Sequence, residues 1–328
     1  MYDVITVGSS TLDVFAKANF SEIIKIKEPK GETELLAFPS GSKILIDDIN
    51  FTIGGGGTNT AVALSRLGNK VAYLGKIGDD IVGSAIEKEL NKEKINQICI
   101  HTKGKSGYSL ILDTLEHDRT ILTYKGVNDT LAYSETPVKK LKTKWFYFSS
   151  MMGESFKTIE KLSDFAAKNS IKIAFNPSAY LAEKGAPFLR KILENTEILV
   201  LNKEEACLLA GHEDMEGMLF KLRSLGPKIV IITDGKKSIN AVDSRFIYSC
   251  TPPKVKVVDA TGAGDAFAAT VLSGIIKKKK VDFAIKMGTA NSCSVIQHYG
   301  AKNILLRYKE LIKSMKKLNV KISRKKYA

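Results

Sequence analysis

The stretch Val257-Val-Asp-Ala-Thr-Gly-Ala-Gly-Asp-Ala-Phe267 decides the fold, because a strand meets a glycine turn that opens directly into an apolar helix. Backbone N–H groups of Gly262, Ala263 and Gly264 can point at a phosphoryl oxygen, and the helix start adds about half a positive charge there. Asp265 comes next, and its carboxylate can take a proton from an attacking hydroxyl. Unless this is an ordinary helix start, the stretch predicts an anion hole with an adjoining base.

Around this stretch, short apolar strands alternate with amphipathic helices, which predicts an α/β fold with a mostly parallel central sheet covered on both faces. Residues 14–50 hold prolines and glycines among short alternating segments, and are interpreted as part of a small β lid. Residues 107–125 read as a hairpin, with its turn at 116–118, that can join the lid. We therefore expect one domain over 1–328 with a lid. Strands are predicted at 3–8, 71–74, 145–148, 171–175, 197–201 and 229–232, and helices at 58–67, 263–276, 282–297 and 305–318.

Composition narrows the class of protein. The chain is 44% hydrophobic and 26% charged, as in ordinary globular proteins. Apolar runs such as 228–233 fall short of the roughly 20 residues that span a bilayer, and the first residues lack a secretory pattern, so a cytoplasmic protein without a membrane partner is expected. Four scattered cysteines and four histidines without ligand spacing predict reduced thiols and no structural zinc.

The net charge of +15 raises the alternative of an electrostatic nucleic-acid binder. Much of this charge lies in lysine-rich segments such as 277–280 and 323–327, without a groove-reading motif or regularly interleaved aromatic residues. These segments are typical of solvated surfaces. No specific nucleic-acid partner is expected, and attraction of an anionic nucleotide is the simpler use of the charge.

A second motif places four glycines before a regular apolar helix at 54–68. Because glycine lets the backbone approach a ligand closely, Gly55 and Gly56 are candidate substrate contacts. Asn59, near the helix start, offers both a donor and an acceptor to a polyol. A flexible linker is the alternative, although linkers seldom run straight into so regular a helix.

The stretches 54–68 and 259–267 resemble the two signatures of PfkB/ribokinase-family kinases, GGxxxNxAxxLxxLG and DTxGAGDxF. Asp13 matches the sugar-binding aspartate of that family, and the resemblance runs on to Ala301. It implies a ribokinase-like fold, in-line transfer of the γ-phosphate of ATP to a hydroxyl with Asp265 as base, and a lid that excludes water. Dimers formed through the lid are common in the family, so a homodimer is a further expectation.

The same resemblance implies contacts to the nucleotide and to magnesium. Asn202 and Glu205 match the family's NxxE motif, whose side chains order water bound to Mg²⁺, although helix capping by Asn202 is the alternative. Thr233 and Gly235 match the turn that contacts the nucleotide phosphates. Asn291 is expected to border the adenine.

Many members of the family also bind potassium beside the anion hole. Asp259 and the carbonyl of Thr261 match that region, so K⁺ is a further cofactor candidate beside ATP and Mg²⁺.

The acceptor is left open. Gly56 stands where ribokinase-like sequences typically carry lysine, and the segment 148–151 lacks the acidic residue that would hold ribose hydroxyls. Met151 and Met152 are expected to pack in the core rather than face a nucleobase or a bulky sugar. Ribose, fructose, fructose phosphate and nucleosides all remain, so a nucleoside kinase is the alternative to a sugar kinase. A non-catalytic binding protein on the same scaffold is the remote alternative.

Overall fold

The structure, a computed structural model, describes residues 1–17, 22–28, 31–113 and 119–327. The hairpin turn predicted at 116–118 lies outside these residues. The strands are β1 Tyr2–Val7, β2 Thr11–Lys17, β3 Glu22–Glu28, β4 Gly31–Ala37, β5 Asp48–Gly54, β6 Val71–Leu74, β7 Lys76–Gly78, β8 Asn96–Gln97, β9 Ile100–Thr102, β10 Gly107–Asp113, β11 Arg119–Tyr124, β12 Thr143–Ser149, β13 Lys172–Asn176, β14 Thr196–Asn202, β15 Ile229–Asp234, β16 Ser238–Val242, β17 Phe246–Cys250 and β18 Ser323–Lys326.

Helices connect several of the strands of the main sheet. They are α1 Gly56–Arg66, α2 Ile81–Lys92, α3 Gly153–Lys168, α4 Ala179–Ala182, α5 Ala186–Glu194, α6 Lys203–Ala210, α7 Met215–Ser224, α8 Ala263–Ile276, α9 Val281–Val295 and α10 Tyr308–Leu318. Each of the four long helices expected from the sequence is present, with bounds shifted by at most three residues.

The central sheet has ten strands in the order β18-β17-β16-β15-β14-β13-β12-β1-β6-β8. The pairs from β8 to β15 are parallel, whereas β16, β17 and β18 add antiparallel strands at one edge. Strand β12 is buried at every position but one because helices cover both faces of a parallel sheet. The expected α/β architecture is therefore confirmed.

Two hydrophobic clusters lie on the two faces of this sheet. Val4 of β1 faces one cluster, which holds side chains of α1, α2, α8 and α9. Its neighbour Ile5 faces the other, with α3, α5, α6 and α7, because successive side chains of a strand point to opposite faces. Met151 is 2% exposed in this second cluster, which confirms that it packs in the core.

A separate mixed sheet has the order β11-β10-β2-β5, with β10 and β2 parallel and the other two pairs antiparallel. The register puts Asp13, Thr52 and Ser109 on one face of this sheet. Val14, Phe51 and Leu110 lie on the other face. Strands β3 and β4 form a two-stranded sheet of their own. The small strands expected outside the main sheet are thus present, and we call the four-stranded sheet the lid sheet.

The far edge of the central sheet was not predicted. Residues 323–326, interpreted from the sequence as a solvated lysine-rich end, form β18, which pairs with β17 and is exposed at every position. This strand is stabilised by its pairing with the edge strand β17, because its own sequence has no apolar alternation. Among the described residues, no helix combines the length and apolarity needed to cross a bilayer.

Candidate active site

A cleft of about 540 Å³ opens beyond the carboxyl ends of the central strands, beside the lid sheet. Ligands bind at this end of the strands in open α/β sheets. The cleft is lined by Ser9, Gly56, Ile121, Lys125, Ser149, Ser150, Asn176, Pro177, Ser178, Tyr180, Val200, Leu201, Asn202, Glu205, Thr233, Gly262, Gly264, Asp265 and Phe267. The two signature stretches, 200 residues apart in the chain, therefore meet in one cavity.

The predicted anion hole lies at the N-terminus of α8. Gly262 caps the helix with φ 74°, and a Cβ built on it would lie 2.3 Å from the Cβ of Ala301, so glycine is required there twice over. Gly262 and Gly264 line the cleft. The N–H of Ala263 instead donates to the carbonyl of Ala260 at 3.2 Å, and Ala263 is not among the lining residues. Two of the three residues predicted to supply donors thus line the cleft.

Asp265 follows in the first turn of α8 and lines the cleft. One of its oxygens accepts a hydrogen bond from the Asn59 side-chain amide at 2.8 Å. Burial raises the pKa of Asp265 to about 6, and the nearby Asp13 also raises it, whereas the hydrogen bond from Asn59 and the charge of Lys302 lower it. A carboxyl with a pKa near neutrality is suited to general-base chemistry.

Asp13 lies behind this base, on β2 of the lid sheet. It is 5% exposed and accepts a hydrogen bond from the Thr11 hydroxyl at 2.7 Å, and burial raises its pKa. Gly54 must lack a side chain, because its Cβ would lie 1.8 Å from a carboxylate oxygen of Asp13. The glycine run thus lets the start of α1 approach Asp13. Gly55 adopts φ 94°, and Gly56 reaches the cleft itself.

Near Asp265, the carbonyl oxygen of the Asn59 side chain and the ammonium of Lys302 are buried without a hydrogen-bond partner among the described residues. Burial lowers the pKa of Lys302 to about 8, against the carboxylates of Glu89, Asp13 and Glu93. Sequence reasoning missed Lys302, since nothing in the local sequence marks this lysine as buried.

Asn202 and Glu205 form a capping box at the start of α6. The Asn202 side chain accepts from the Glu205 N–H at 2.8 Å, and Glu205 accepts from the Asn202 N–H at 2.9 Å. The capping alternative weighed for Asn202 is therefore present, and both residues also line the cleft. Burial raises the pKa of Glu205 to about 7, and the negative charges of Glu204 and Asp265 add to this.

Of the remaining predicted nucleotide contacts, Thr233 lines the cleft, and Gly235 and Asn291 do not. Thr233 lines the cleft at the end of β15, whereas Gly235 is exposed in the turn to β16 and is not among the lining residues. Asn291 is fully buried between helices: its amide donates to the Thr270 hydroxyl at 2.8 Å and accepts from the Leu306 N–H at 2.9 Å. The structure does not bring Asn291 to the cleft.

Asp259 and Thr261 lie beside the anion hole. One oxygen of Asp259 accepts from the Thr261 N–H at 2.8 Å and from its hydroxyl at 2.6 Å, and the other accepts from the Gly300 N–H at 2.9 Å. These bonds fix the turn before α8 against the loop that follows α9. Both residues precede Gly262 closely in the chain without lining the cleft.

Several lining residues were not predicted. Ser149 and Asn176 end the parallel strands β12 and β13, and Ser150 and Ser178 follow them with hydroxyl oxygens 2.7 Å apart. Their position after a strand is the signal that could have found them, because the carboxyl ends of parallel strands meet at one edge. Lys125, which reaches the cleft from the lid side, had no such signal.

Comparison with known proteins agrees with this geometry. The model of the pfkB family carbohydrate kinases matches residues 24–307. An uncharacterized sugar kinase of Archaeoglobus fulgidus is 31% identical over 252 residues, which cover 75% of this chain and 99% of the relative.

Two solved structures share the fold. Ribokinase of Arabidopsis thaliana, complexed with ribose and ATP, has a TM-score of 0.80 at 18% identity, with 96% of this chain and 99% of that chain covered. Adenosine kinase of Sinorhizobium meliloti has a TM-score of 0.81 at 20% identity, with 95% and 99% covered. The matched family model spans most of the chain, and this protein belongs to the pfkB family of carbohydrate kinases.

Proposed function

We propose that this protein transfers the γ-phosphate of ATP to a hydroxyl of a sugar, with Asp265 as the general base. The observation that carries the proposal is that Asp265, with its pKa raised to about 6, shares one cleft with Gly262 and Gly264 at the start of α8. The carboxylate accepts the hydroxyl proton, and the glycine N–H groups stabilise charge on the phosphoryl oxygens. Asn59 orients the carboxylate through its 2.8 Å hydrogen bond.

The acceptor is proposed to bind between Asp13, Gly55, Gly56 and Asn59. Asp13 and the unpartnered oxygen of Asn59 are buried acceptors beside the base, and sugar hydroxyls are the donors that would satisfy them. A nucleoside is the second candidate, because the adenosine kinase of S. meliloti shares the fold as closely as the ribokinase of A. thaliana does.

Magnesium is proposed to lie near Glu205 and Asn202, which line the cleft and whose side chains would order water bound to the ion. When bound, the ion would neutralise charge on the nucleotide phosphates. Thr233 is proposed to contact those phosphates from β15. Oxygen ligands also suit potassium at Asp259 and Thr261, and rates in potassium chloride against tetramethylammonium chloride would test that site.

We also propose that two copies of the chain pair through the outer face of the lid sheet. Phe51, Leu110, Leu122 and Tyr124 are between 37% and 60% exposed on three strands of this face, which points away from Asp13. A continuous exposed apolar face on a sheet is typical of an interaction site. The cytoplasmic location stays a prediction from the sequence.

The test is an ADP-release assay with MgATP against sugars, sugar phosphates and nucleosides. Turnover with one sugar would support the proposal, and turnover with nucleosides alone would favour the second candidate. Silence across the panel, with ATP still bound, would reject transfer to these acceptor classes.

A further inference from the structure

The charges that line the cleft are few. Among its described lining residues, Glu205 and Asp265 are acidic and Lys125 is the one cation. A nucleoside triphosphate brings several negative charges into the same cavity, and positive groups held in place there stabilise a phosphoryl group in transfer more effectively than water does. Lys125 is therefore the lining side chain whose charge complements the ligand.

Lys125 joins the two walls of the cleft. It follows β11 of the lid sheet directly, and its carbonyl oxygen accepts from the Asn128 side chain at 3.0 Å. Asn128 in turn accepts from the N–H of Ser10 at 3.0 Å, which fixes the backbone of this segment beside β2. The Lys125 ammonium lies 5.0 Å from the ring centroid of Tyr180, which belongs to α4 beyond the end of β13.

A phosphate can replace the Tyr180 ring as the partner of the Lys125 ammonium. A cation over an aromatic ring at an accessible site is held weakly, whereas a charge-assisted hydrogen bond to a phosphate oxygen is strong. Tyr180 is 48% exposed. Asp129 is a carboxylate within electrostatic reach of Lys125: burial raises the pKa of Asp129, and the charge of Lys125 opposes that rise.

Hydroxyl donors line the same cavity as Lys125. Ser149 is 4% exposed, lines the cleft, and its hydroxyl has no hydrogen-bond partner among the described residues. Ser150 and Ser178 lie at the same wall. A buried hydroxyl without a partner, in a cleft that a lysine also lines, is suited to an anionic ligand.

We propose that Lys125 is a catalytic residue that donates a hydrogen bond to the transferring phosphoryl group from the lid side, while Gly262 and Gly264 bind it from the helix side. This inference rests on the proposed phosphotransfer. The acceptor oxygen forms its bond to phosphorus as the bond to the nucleoside diphosphate breaks, and the electron pair leaves with the diphosphate. The hydroxyl proton passes to Asp265, and Lys125 keeps its own protons.

The first test compares Lys125→Met, Lys125→Arg and the exposed-surface control Lys103→Met on the best acceptor of the panel. Removing one preorganised donor lowers kcat by about 10²-fold or more, and we expect that loss for Lys125→Met with the acceptor KM changed less than about threefold. Lys125→Arg keeps the charge, so its kcat should be at least about tenfold higher than that of Lys125→Met. A kcat for Lys125→Met within threefold of the control would overturn the proposal.

The phosphate that Lys125 contacts could instead belong to the acceptor, if the acceptor is a sugar phosphate. Comparing a neutral sugar with a sugar phosphate separates the two: loss with both acceptors supports contact with the transferring group. A rise in KM confined to the sugar phosphate means that Lys125 binds the acceptor, and this outcome overturns the proposal.

A binding measurement keeps the inference independent of turnover. By calorimetry, with Mg²⁺ present, Lys125→Met should bind ATP about tenfold more weakly than wild type, since one charge-assisted contact to the terminal phosphate is lost, and should bind ADP unchanged. Equal affinity of both proteins for ATP would contradict the inference even if no acceptor is found. Weakened ATP binding without turnover on any acceptor would instead reject the proposed function alone.

Discussion

At the scale of single residues, the base and its surroundings determine how the enzyme should respond to pH. Burial and the charge of Asp13 raise the pKa of Asp265 to about 6. Because a base must be unprotonated, kcat/KM should fall tenfold per pH unit as the pH drops below about 6. A pH profile from 4.5 to 8 measures this, with circular dichroism at each pH as the control for unfolding. Full activity at pH 5 would contradict the assignment.

The same pKa shift has a consequence for stability. The folded-state pKa of Asp265 lies above its unfolded value of 3.8, so folding favours the protonated form and the ionised form costs stability. Asp265→Asn should therefore unfold at a higher temperature than wild type at pH 8. The difference should shrink as the pH falls below 6 and vanish only at about pH 3, below the unfolded value of 3.8, where both states are protonated. Thermal melts at these three pH values test the sign; a lower Tm at pH 8 would refute it.

At the scale of elements, Asn291 connects α9 to α8 and to the segment before α10. Asn291→Ala leaves the Thr270 hydroxyl and the Leu306 N–H without this partner, so the free energy of unfolding should fall by about 1–3 kcal/mol. ATP affinity should stay unchanged, because the side chain is fully buried away from the cleft. Urea unfolding and calorimetry measure the two quantities, with the exposed Asn169→Ala as control. Weaker ATP binding by Asn291→Ala at unchanged stability would instead support the expectation that Asn291 borders the adenine.

The elements also show what the sequence could predict. Helix α8 was placed at 263–276, its observed bounds, because a glycine turn and an apolar run mark its start locally. Strand β18 was missed because it depends on pairing with β17, which lies more than 70 residues earlier in the chain, and its own lysine-rich sequence does not indicate a strand. Site residues within a local motif, such as Asp265 and Glu205, were found. Lys125 and Lys302 were not, since their positions depend on which distant elements pack around them.

At the scale of the whole molecule, the lid sheet serves both the site and the proposed pairing of two copies. Its inner face carries Asp13, and its outer face exposes Phe51 to 60%. Phe51→Glu should convert a dimer to a monomer, because a buried unpaired charge would stand in the apolar interface. Light scattering after size-exclusion chromatography measures the mass, with the exposed Lys103→Glu as control. A wild-type monomer at all concentrations would reject the proposed interface.

The central claim is that Asp265 removes the proton from the acceptor hydroxyl beside the anion hole. The most direct measurement is the single-turnover rate of phosphate transfer by Asp265→Asn and by wild type, with ATP affinity determined for both. A positioned base contributes about 10²-fold or more, so the variant should bind ATP normally and transfer phosphate at least that much more slowly. Transfer within a few-fold of wild type, at equal ATP affinity, would contradict the claim.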